Sequence, residues 1–202
     1  MDALCDVLAG DRSGDAGYSR YVSGQGVALD VTPSYAQLPV NRLRQMAAMF
    51  ANARFVYLVR DPVERLWSHI RMEVARRMQP GADFDNRARG MLRRITEEDG
   101  EPQIAMRGEY ADAIGRMTQA IPADQLSVLV SEEMTPQRVC AAVGLRVHDA
   151  ATKSAHVGIK SDMQDGMRNR AARFLRQQYQ LMAEVLGRIP AAWQANYERA
   201  IA

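Results

Sequence analysis

Lysine is nearly absent from this chain of 202 residues: of 26 basic side chains only Lys153 and Lys160 are lysines, and the rest are arginine. Anion chemistry in it must therefore be built mainly on guanidinium groups, whose planar forks make two-point contacts to phosphate or carboxylate. Cysteine is scarce too. Cys5 and Cys140 are far apart and match no metal or redox spacing, which excludes a disulfide framework and fits free thiols in a reducing compartment. No apolar run approaches the ~18 residues of a membrane span, and Met1 to Gly10 carries aspartates where a secretory leader carries basic residues, so the expected location is cytoplasmic. Charge of one sign is also missing. The balance of 26 basic against 24 acidic residues leaves +2, too weak a field to argue for a nucleic-acid or membrane partner.

What is there is an ordinary globular composition, 47% apolar and 25% charged, with no repeat, low-complexity tract or Pro/Ser linker. Residues 1–202 therefore read as a single domain. Val27 to Val31 reads as a short strand ended by Thr32-Pro33-Ser34, and Val40, Leu43, Met46, Ala47 and Phe50 recur at helical spacing over about 40–52. Phe55 to Val59 is an uninterrupted apolar run of the kind a strand covered on both faces shows. Strand, helix and strand here make a βαβ unit.

Asp61, Pro62 and Glu64 are helix-start residues at the cap, first and third positions, so a helix is expected straight after the second strand, burying Val63, Leu66, Trp67, Ile70 and Val74. Further helices are expected over about 87–98, 109–120, from Thr135 to a stop at Gly144, and over about 164–187. A third strand spans Leu126 to Val130, and Gly100 to Gly108 reads as irregular. This alternation predicts α/β architecture: a mainly parallel sheet in a three-layer α/β/α arrangement.

Ligands of an open parallel sheet gather at the carboxyl ends of its strands, beside helix N-termini. Arg60 is the first residue after such a strand, where its fork reaches an anion without being buried unpaired. Ser68 lies within the following helix, on the side shared with Glu64 and Arg71, where a hydroxyl can join the same anion. A surface ion pair for Arg60 and a merely tolerated serine are the plainer alternatives. Tyr110, inward at a helix start, is open to a ligand contact or a place in the core, and Asp30 to orienting a ligand or capping a turn.

The segment Phe55-Val56-Tyr57-Leu58-Val59-Arg60-Asp61-Pro62-Val63-Glu64-Arg65-Leu66-Trp67-Ser68-His69 resembles the 3′-phosphate-binding segment of sulfotransferases that use 3′-phosphoadenosine 5′-phosphosulfate. Weaker stretches agree in order. Asp30-Val31-Thr32-Pro33-Ser34-Tyr35 is similar to that family's acidic-x-Ser/Thr-Pro-x-Tyr turn. Arg107-Gly108-Glu109-Tyr110, with Leu126 to Val130 and Glu132-Glu133, is similar to its Gly-x-Tyr helix, strand and acidic turn. His156-Val157-Gly158-Ile159-Lys160 and Trp193 resemble its C-terminal loop. The resemblance implies a P-loop NTPase-like sulfotransferase fold, with Arg60 and Ser68 on the cofactor's 3′-phosphate, Lys160 closing charge over the nucleotide, and Tyr110 near adenine or acceptor. It also implies transfer of a sulfuryl group to a small-molecule or carbohydrate hydroxyl or amine, with no metal.

The family's first strand and its Gly- and Thr/Ser-rich phosphate loop have no counterpart in the sequence. Gly10-Asp11-Arg12-Ser13-Gly14-Asp15 is Gly-rich, but its aspartates would repel a phosphosulfate. The resemblance thus implies a domain incomplete at its N-terminus, with loop and general base upstream of Met1, and an exposed sheet that drives self-association. The competing expectation is a catalytically silent nucleotide-binding or protein-interaction module on the same scaffold.

Overall fold

The computed structural model describes residues 30–79, 82–98, 100–147, 159 and 161–202. Cys5, strand residues 27–29, the Gly-rich stretch 10–15, His148, His156 and Lys160 lie outside these. The protein is a mainly helical α/β structure with a two-stranded parallel sheet. In chain order its elements are α1 (Val40–Met49), β1 (Phe55–Val59), α2 (Pro62–Arg77), α3 (Phe84–Glu97), α4 (Pro102–Met106), α5 (Tyr110–Ala120), β2 (Leu126–Val130), α6 (Pro136–Val143), α7 (Asp165–Phe174), α8 (Arg176–Leu186) and α9 (Gln194–Ile201). Among the described residues no helix is long and apolar enough to cross a membrane.

The chain forms two compact units. One takes in the described residues up to Tyr57 with Asp112–Ser127, the other Leu58–Ala111 with Val128–Ala202. In the first, Leu43 and Met46 of α1 are buried with Ala113, Met117 and Ala120 of α5 and with Ile121. Asp30 and Val31 are not in a strand. They precede a tight 3₁₀ turn over Pro33–Gln37, and the Asp30 carboxylate accepts hydrogen bonds from the Thr32 and Tyr35 hydroxyls. Of its two expected roles, Asp30 takes the turn.

In the second unit α2 packs against α3, α3 against α7, and α7 and α8 against α9. The α2 stripe is buried as its spacing predicts, Val63 and Ile70 completely, and each such side chain contributes about 1.5–3 kcal/mol by leaving water. Gly144 ends α6 with φ of +72°, a conformation that glycine adopts without strain.

Three further expectations are corrected. β1 alternates between faces rather than being covered on both: Val56 and Leu58 are 39% and 44% exposed. The 100–108 stretch contains the short helix α4, entered through Glu101 at φ of +55°; its carboxylate is held by Arg77 and Arg94. The expected long C-terminal helix breaks at Leu175, whose ψ opens to 12°. Phe174, just before the break, is exposed, while Gln178 and Tyr179, side by side on α8, are buried.

Candidate functional site

β1 delivers Arg60 to the turn before α2, and Asp61 caps the helix there by accepting the Glu64 N–H at 2.9 Å. The Arg60 side chain is 42% exposed, its backbone fully engaged. Its N–H donates to the Tyr110 hydroxyl at 3.2 Å, and that hydroxyl donates to the Arg60 carbonyl at 2.8 Å. Tyr110 itself is buried.

Asp61 is buried and accepts more than the cap bond. The Tyr179 hydroxyl donates to it, 3.0 Å from each carboxylate oxygen, and the Asn196 amide donates at 3.0 Å. Burial raises its pKa above the usual carboxylate value, opposed by the hydrogen bonds that favour its charge. Burial and the neighbouring carboxylate push the Tyr179 phenol far up, so this hydroxyl stays a donor.

A helix start is an anion site only while its N–H groups are free. Here they are taken. The Asp61 N–H donates to Glu132 Oε1 at 3.0 Å, the Val63 N–H to the Tyr179 hydroxyl at 3.4 Å, the Glu64 N–H to Asp61, and Pro62 has none. What the turn presents to solvent is therefore a guanidinium rather than a cradle of amides. Glu132 Oε1 lies 3.8 Å from Arg60 Nε, a distant partner that leaves the fork available.

Ser68 is half-buried on α2; eight residues after Arg60 along a helix that rises about 1.5 Å per residue, it lies about two turns from the cap. Arg71, expected beside it, instead donates to the Ile159 carbonyl at 3.0 Å, while its Nε is buried without a partner. Trp67 Nε1 donates to the Ser161 carbonyl at 2.8 Å. Two α2 side chains thus anchor the residues on either side of Lys160 in the sequence.

The Gly-x-Tyr stretch has a physical reason at each position. A Cβ on Gly108 would come within 2.6 Å of the Arg65 guanidinium, which donates to the Ile104 carbonyl, so any larger residue would have to displace that side chain from its bond. Glu109 accepts from Gln178 Nε2 at 2.6 Å, and Tyr110 holds Arg60. His69 accepts at Nδ1 from Arg65, 3.3 Å away; burial and the guanidinium charges lower its pKa to about 4, so it is neutral at pH 7. Two open clefts in this unit, lined by arginines including Arg87, Arg89, Arg170 and Arg173, include neither Arg60 nor Ser68.

A solved sulfotransferase from Alicyclobacillus acidocaldarius superposes on 95% of this chain and 78% of its own, with a TM-score of 0.63 and 19% sequence identity. The fold is similar to a sulfotransferase's. No protein-family model matches the sequence, and no curated protein matches it significantly. At 19% identity the likeness is one of fold. Sequence reasoning missed Gln178, Tyr179 as a hydrogen-bonding group, and Asn196; Glu132 was visible only as part of an acidic turn.

Proposed function

We propose that this chain is a sulfotransferase-type protein that binds 3′-phosphoadenosine 5′-phosphosulfate through Arg60 and Ser68 on its 3′-phosphate. On this reading residues 1–202 are one cytoplasmic sulfotransferase-like domain of the three-layer, P-loop-like type, and Lys160 adds charge over the nucleotide. The reaction transfers a sulfuryl group to a hydroxyl or amine of a small-molecule or carbohydrate acceptor: the acceptor atom bonds to sulfur, the sulfur–oxygen bond to the 5′-phosphate breaks, adenosine 3′,5′-bisphosphate leaves, and the acceptor proton passes to a base.

The observation that carries the reading is the state of Arg60. Its peptide is fixed on both sides by Tyr110 while its fork stays exposed and only distantly paired, as a residue held ready for an external anion would be. Arg60 and Ser68 would grip the end of the nucleotide remote from sulfur, and such remote binding energy orients the reacting group. Capture of the 3′-phosphate by a charge-assisted fork predicts that adenosine 3′,5′-bisphosphate binds at least about tenfold tighter than adenosine 5′-monophosphate. Calorimetry showing equal affinities would refute it.

A further inference from the structure

Three of the four buried polar side chains described in the second unit serve one turn. Among the described residues the buried polar or charged ones are Asp61, Glu73, Gln178 and Asn196, and all but Glu73 support the stretch from Arg60 to Glu64. A buried polar group gains little net stability over a well-packed apolar side chain, but it fixes direction.

Gln178 and Tyr179 are consecutive on α8. The Gln178 amide accepts the Ala111 N–H at 3.2 Å and donates to Glu109 at 2.6 Å, gripping the residues on either side of Tyr110. The Tyr110 hydroxyl in turn holds the N–H and carbonyl of Arg60. Tyr179 reaches the same turn by another route, donating to the Asp61 carboxylate and accepting the Val63 N–H. Neighbouring residues of one helix thus pin Arg60 from its peptide and from the cap that follows it.

We infer that α8 is a brace for the anion site: Gln178, acting through Tyr110, and Tyr179, acting through Asp61, are positioning residues that fix the root of the Arg60 side chain. This rests on the functional reading above. An arginine whose backbone is already fixed loses less freedom when its fork closes on a phosphate, and its two N–H groups arrive aimed. Tyr110 belongs to the site as a support of Arg60 rather than as a contact to adenine.

The test is Tyr110→Phe in the full chain, which keeps the ring and removes one hydroxyl. Calorimetry is expected to show affinity for adenosine 3′,5′-bisphosphate falling about fivefold, the worth of one or two hydrogen bonds, with that for adenosine 5′-monophosphate unchanged. On an Arg60→Ala background the same substitution is expected to have no further effect. An equal loss for both nucleotides, or additivity with Arg60→Ala, overturns the brace, because a general structural role produces either. Gln178→Ala carries the same comparison should Tyr110→Phe fail to fold. If the unaltered chain binds neither nucleotide, the functional reading falls, and amide hydrogen exchange decides the brace by itself. Exchange at the Arg60 amide rises at least about tenfold in Tyr110→Phe if the brace holds, and unchanged exchange overturns it.

Discussion

One oxygen of Glu132 accepts the Asp61 N–H at 3.0 Å and stands 3.8 Å from Arg60 Nε. The carboxylate fixes the turn, and on the function proposed above it would also compete with an arriving anion for the guanidinium.

Glu132→Gln separates them. The amide oxygen still accepts the Asp61 N–H while the negative charge is gone, so affinity for adenosine 3′,5′-bisphosphate is expected to rise about threefold, the scale of an exposed ion pair. The gain should shrink with added salt. Calorimetry at two ionic strengths checks both; unchanged affinity would mean that Glu132 does not compete.

Asp61→Ala removes the helix cap and leaves the Tyr179 hydroxyl and Asn196 amide buried without their acceptor. The expected loss is about 2–4 kcal/mol of unfolding free energy, measured by urea denaturation. A loss under about 1 kcal/mol would show that the network carries little of the fold.

Acid should weaken the protein in two windows. His69 has its pKa lowered to about 4 by burial and by the Arg65 charge, so below its ordinary 6.5 the unfolded chain takes up the proton first, and stability falls as pH drops from 6.5 toward 4. Glu133, lowered to about 2 by its bonds to Arg188 and Arg138, adds a second loss between 4.5 and 2. His69→Gln is expected to flatten the first window and leave the second. Identical pH profiles for the two proteins would contradict the assignment.

Val56 and Leu58 leave one face of β1 exposed, and apolar strand surface of this kind associates with its like. Light scattering across a concentration series is expected to show mass above that of the monomer, and Leu58→Thr to lower it. A monomer throughout would contradict this.

Local chemistry was legible where it is written locally. The β1 run, the Asp61-Pro62 start and the Gly144 stop each depend on residues within one turn of the feature they set, and the structure has them all. The break at Leu175 was not legible, because the apolar spacing runs through it without a change of period. Helix α4 was hidden behind Glu101, whose left-handed backbone is unusual for a non-glycine and is secured by Arg77 and Arg94 from other elements. The place of Arg60 between β1 and α2 was readable from strand-to-helix spacing, but the support of that turn was not. Gln178 bonds across 67 residues to Ala111 and Asn196 across 135 to Asp61, beyond any sequence window.

The most direct test of the account is calorimetric titration of adenosine 3′,5′-bisphosphate into the unaltered chain and into Arg60→Ala. Loss of a charge-assisted fork predicts at least about a tenfold drop in affinity with the fold intact by circular dichroism. The same affinity in both proteins would contradict the assignment of Arg60 to the anion site, and with it the function proposed.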